Sequence, residues 1–123
     1  MGVGYSLVNF SKKEWILFQH VAASTACELA GNPASAAITT WYLLNNCGDQ
    51  IALVSGTYGE WPFPEGSEDD LKDYREVTDE VIEALIREGI LIDEGKEHYF
   101  DNDPEIYNRK LRNVWMIDEE KYT

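Results

Sequence analysis

The sequence predicts one α+β domain, and three observations carry that prediction. The chain has 123 residues, the length of a single core. Apolar residues make up 44% and aromatics 12%, enough to bury that core and more than a disordered chain carries. No repeat, linker or low-complexity segment divides strand-like stretches from helix-like ones. The expected order is an N-terminal β-hairpin, a buried central helix, an acidic helix followed by a second β-hairpin, and a C-terminal helix.

Residues 3–10 read as a strand, because Val3, Tyr5 and Leu7 alternate with Gly4, Ser6 and Val8. Residues 14–20 read as its hairpin partner, or else as a short helix, since four consecutive apolar residues have no decisive period. Residues 22–30 are alanine-rich, with Ser24 or Thr25 as cap and Gly31 as stop. Asn32 and Pro33 are the clearest helix start, an N-cap followed by proline at the first helical position. That helix runs to Asn45 or Asn46 and is apolar enough to be buried on most sides, with Trp41 in the core. Ile51–Val54 is a short strand.

Residues 55–67 hold two prolines and three glycines, which forbid regular structure, together with Tyr58, Trp61 and Phe63. Ser67 and Asp70 form a capping box for a helix reaching Glu88, either continuous or broken near Val77-Thr78. Ile90–Ile92 and His98–Phe100 flank Gly95, a hairpin signal. Asp103 and Pro104 start a last helix, on which Tyr107, Leu111, Val114 and Trp115 share one face. Trp115 is therefore expected in the core, and the tail 118–123 is expected to fray.

The net charge is −13, and it is unevenly placed. Residues 1–54 carry −1 and residues 55–123 carry −12. Such a chain has no patch able to neutralise several phosphates or an anionic membrane, so nucleic acid and membrane are excluded as partners. The longest apolar run is too short to span a bilayer. No charged segment followed by an apolar run opens the chain, so a cytoplasmic location with Cys27 and Cys47 reduced is expected.

Catalytic and metal chemistry find no foothold. Asp101-Asn102-Asp103 has calcium-loop density, but the sixth and twelfth positions are Ile106 and Arg112 instead of Gly and Glu. His20, His98, Cys27 and Cys47 lack zinc spacing and read as buried cysteines and a strand histidine. Neither a phosphate-binding loop nor a nucleophile elbow occurs. No catalytic residue, metal or cofactor is expected. A helix ending at Gly89 before a hairpin is the order found at the end of a winged helix. Its Asp79, Glu80, Glu83 and Glu88 against Arg87 disfavour DNA.

One constellation stands out. On a continuous helix over 68–88, Asp69, Asp73, Glu76, Glu80 and Glu83 fall at i, i+4, i+7, i+11 and i+14, a single carboxylate stripe. Tyr58, Trp61 and Phe63 enter just before it, either as interface anchors or as a cover for the core. These eight residues are the candidate partner-binding set.

The stretches Val3–Asn9, Thr40–Leu44 and Ile82–Leu91 resemble parts of small bacterial proteins. In size and acidity the chain is similar to the immunity proteins that neutralise bacterial toxins. That resemblance implies a stoichiometric inhibitor acting on a basic protein partner, a toxin or nuclease. The alternative is a small enzyme or ligand-binding domain with a site assembled from dispersed residues. The sequence does not specify an oligomeric state.

Overall fold

The computed structural model describes residues 4–18, 20, 21, 23, 25–55, 60–98 and 100–115. Strand β1 (Tyr5–Asn9) turns back into β2 (Glu14–Ile16), pairing antiparallel with Leu7 opposite Ile16 and Val8 opposite Trp15. The hairpin is therefore present, and 14–16 is strand. Asn9 is fully buried and holds the turn: its side-chain Oδ1 accepts from the Lys12 backbone amide at 2.9 Å, and its side-chain Nδ2 donates to the Asp49 carboxylate at 2.9 Å. Beyond β2, Phe18 and His20 both take left-handed φ values, 56° and 61°, unusual for side-chain-bearing residues. Phe18 is nevertheless buried in the core.

Helix α1 (Ala26–Gly31) starts from a full capping box between Thr25 and Glu28. Helix α2 (Pro33–Leu44) starts from Asn32, whose side chain accepts from the amides of Ala34 and Ser35. Ala34, Ser35, Ile38 and Tyr42 are its buried face, with Trp41 partly buried beside them. The opposite face is open, Leu43 and Leu44 being 43% and 65% exposed. The expectation of burial on most sides is corrected, since Thr40, Leu43 and Leu44 stand exposed.

Strand β3 (Ile51–Ser55) pairs antiparallel with β1, and the two-residue β4 (Arg75–Glu76) pairs parallel with β2. The sheet order is β3-β1-β2-β4. Alternation sends Leu7 and Ile16 to the helical side, where Ile38 and Tyr42 pack. Val8 and Val54 point to the other side, against Phe63, Leu71 and Trp61.

The segment read as an acidic helix, continuous or broken near Val77-Thr78, divides into three elements, and the last of them does start at Thr78. Glu68–Asp73 is a 3-10 helix behind the Ser67–Asp70 capping box, β4 follows, and α3 is Thr78–Arg87. The break has a tertiary cause. The amides of Arg75 and Val77 donate to the carbonyls of Lys13 and Trp15, at 3.1 and 2.9 Å, so sheet pairing takes the groups a helix needs. Glu76 then accepts from the Thr78 amide at 2.9 Å and from its hydroxyl, restarting the helix.

The C-terminal region differs more. β5 (Leu91–His98) is one strand, paired with β6 (Tyr107–Asn113), where a hairpin around Gly95 and then a helix were expected. Gly95, at φ 109°, sits where the register shifts between Asp93 and Lys96; its amide donates to Asp93 at 2.9 Å. Asp103 and Pro104 lie in the connection instead of opening a helix. Trp115 is 82% exposed, which overturns its placement in the core. Trp115→Ala should therefore change the unfolding free energy by no more than about 0.5 kcal/mol in urea titration. Val3, Ser24, Tyr99 and the tail 118–123 lie outside the described residues.

Candidate functional site

Helix α3 is sharply two-sided. Val81, Ile82 and Leu85 face the core, while Asp79, Glu80, Glu83, Arg87 and Glu88 are exposed. β5 runs next to it and leaves Asp93, Glu94 and Glu97 exposed. Arg109 on β6 draws these two carboxylate rows together. Its guanidinium side chain is only 11% exposed and donates to Asp93 at 2.8 Å, Glu83 at 3.2 Å and Asp79 at 3.4 Å. The same groups line a shallow cleft of about 270 Å³ with Lys96 and Tyr107. Arg109 and Lys96 against three carboxylates leave an excess of one negative charge in the cleft itself, with Glu94 and Glu97 exposed beside it.

The electrostatics follow from those contacts. The Arg109 hydrogen bond, then the Gly95 amide, hold the Asp93 carboxyl below its ordinary range. Burial works against the Arg109 charge, but hydrogen bonds to Asp93 and Glu83 outweigh it and its pKa rises. The rim is aromatic. His20 stacks on Tyr107 with centroids 3.7 Å apart and its Nδ1 lies 2.8 Å from the Tyr107 carbonyl oxygen; Lys96 sits 4.4 Å over the same phenol ring.

A second polar cluster is structural. Glu14 accepts from the Tyr42 hydroxyl at 2.6 Å and from Arg75 at 3.2 Å, and Arg75 also pairs with Glu80. Burial, reinforced by Glu14, pushes the Tyr42 hydroxyl above its ordinary pKa.

The single carboxylate stripe does not exist. Asp69 and Asp73 are exposed on the 3-10 helix, whose Leu71 packs on the far side of the sheet from α3. Glu76 is consumed by Thr78 and the Leu17 amide, and Glu80 by Arg75. Only Glu83 of the five reaches the Arg109 cluster. Phe63 is buried, stacked on Phe10 at 5.1 Å, and Trp61 meets its edge while donating Nε1 to the Glu65 carbonyl at 2.7 Å. Both cover the core instead of standing out as anchors; Tyr58 lies outside the described residues. Asp79, Asp93 and Arg109 were missed as members of this cluster. Their signal was Arg109 at an alternating position between Tyr107 and Leu111.

Cys27 and Cys47 are free thiols and exposed, against the expected burial. α3 and the β5–β6 ribbon keep the helix-then-ribbon order of a winged helix, but with an acidic outward face. No helix among the described residues is long and apolar enough to cross a membrane. Comparison with known proteins finds no matching family model, curated protein or solved structure.

Proposed function

We propose that this protein binds a basic protein surface through the exposed face of α3 and β5, as a stoichiometric inhibitor of the immunity type acting on a toxin or nuclease. One observation supports the reading above others: Arg109 gathers carboxylates from a helix and a strand into one surface with excess negative charge. A single-sign surface of this kind speeds encounter with an oppositely charged partner by roughly 10–10³-fold. The buried loop aromatics shift the weight of the reading from apolar anchoring to steering.

The test is affinity capture from the source cell with the full chain, followed by stopped-flow association with the captured protein. The captured protein is expected to be basic. Reversing Glu88, Glu94 and Glu97 to Lys should leave the fold intact and slow association about 10-fold or more at low salt. The slowing should shrink once salt shortens the screening length to about 8 Å. An acidic partner, or association rates unaltered by the reversal, would remove the support for this reading.

A further inference from the structure

The exposed ridge of α3 stands between two clefts. Asp79 and Glu83 border the one built around Arg109. Glu80 borders a second, of about 170 Å³, on the other flank, between α3 and the last turn of α2. Its polar end is Glu14, a side chain only 14% exposed, which accepts from Tyr42 and Arg75. Its apolar walls are the partly buried Trp41 on one side and Val77, Val81 and Ala84 on the other. Glu14 and Glu80 against Arg75 leave one excess negative charge in this lining. Glu80 is 61% exposed, and one of its two oxygens is uncommitted among the described residues. The negative end of the α2 dipole lies at the same place, and the last turn of α2 carries no basic residue. Lys12, at the rim, is held by Asn46 and Asp49.

Resting on the function given above, we propose that this cleft is the socket for one arginine side chain of the basic protein partner. Size selects a side chain, because pockets for drug-sized ligands run to about 300–1,000 Å³. Charge selects a cation. Polarity and shape select a guanidinium over an ammonium. Arginine is more weakly hydrated than lysine, its plane stacks on aromatic surface, and its stem suits an apolar wall. Trp41 supplies the aromatic surface, Val81 and Ala84 the wall, and the second oxygen of Glu80 an acceptor. The chain already places one guanidinium here, since Arg75 spans Glu14 and Glu80. The two clefts then act in turn along one face of α3: the carboxylates around Arg109 steer, and the socket anchors.

Titration of the full chain with N-acetyl-arginine amide tests this without the partner, read in a proton–nitrogen correlation spectrum. N-acetyl-citrulline amide in matched sodium chloride is the uncharged control. The Trp41 indole N–H and the Glu80 and Ala84 amides are expected to shift saturably with arginine, at a dissociation constant of about 10 mM, and to stay in place with citrulline. Glu80→Gln should weaken binding about 3-fold. Ala84→Met, which fills the cleft from a helical position, should abolish it at an unaltered melting temperature; if that variant fails to fold, Glu80→Gln decides. Against the captured basic protein, Ala84→Met should speed dissociation about 10-fold and leave association as it is, the opposite of the Glu88, Glu94 and Glu97 reversal. Shifts that do not saturate, equal shifts with citrulline, variants that bind arginine like the parent, or a dissociation rate untouched by Ala84→Met would overturn the socket and leave the steering surface standing. A captured acidic partner would overturn the steering surface instead, while the arginine titration still decides whether the socket exists.

Discussion

Phe63→Ala is expected to lower the unfolding free energy by about 3–4 kcal/mol, as read by urea denaturation. The ring is 9% exposed and packs with Val8, Val54 and Leu71 on the side of the sheet that no long helix covers among the described residues. Phe10 lies nearly parallel to it, at 12°, and Trp61 meets it at 70°. Truncation leaves a cavity that the proline-bound segment 62–64 is poorly able to fill by relaxing. A loss below about 1 kcal/mol would mean that the loop lies loosely on the sheet and that its aromatics are available to a partner after all.

Arg109→Met should cost about 2–3 kcal/mol. Removing one partner of a buried ion pair costs about 3–5 kcal/mol, because the other charges stay behind. Here Asp79, Glu83 and Asp93 are 67%, 55% and 38% exposed, so water takes up part of that loss. The acid response separates this from simple loss of packing. Asp93 is held below its ordinary value of 3.8 in the folded protein. Its contribution is thus complete above that value and is lost as the pH falls through the lower, folded one. The gap between parent and Arg109→Met in urea midpoint should therefore narrow between pH 7 and about pH 2–3. An equal gap at both ends would assign the Arg109 effect to its alkyl stem.

Where the backbone answers to its neighbours in sequence, the fold was legible. Asn32 with Pro33 places one helix start to the residue, and Ser24 or Thr25 places another to within one position, because a cap is a contact over two or three positions. The β1–β2 hairpin is local in the same sense. Ser67 and Asp70 also form their box as read, yet the helix behind it stops, since residues 75–77 pair with 13–15 across 62 positions. A break near Val77-Thr78 was legible locally, but no local signal carries the sheet pairing that ends the first helix at Asp73. Residues 107–115 satisfy two periods at once. Tyr107, Leu111 and Val114 suit a helix, while Tyr107, Arg109, Leu111 and Asn113 suit a strand with a charged residue turned inward. Asp103-Pro104 favoured the helix, and the Asp93, Glu83 and Asp79 carboxylates that make an inward arginine acceptable come from other elements. For the same reason the acidic surface was read along one helix, when it is assembled across a helix and a ribbon.

The parallel seam between β2 and β4 sets a timetable for synthesis. Among the described residues, the outer side of β2 is met by residues 75–78, through Arg75, Val77 and Thr78. A ribosome adds about 5–20 residues per second, so roughly 60 residues of delay leave the nascent hairpin half-paired for about 3–12 s. The lysines at its tip, Lys12 and Lys13, stand where they discourage another chain from joining it in that interval.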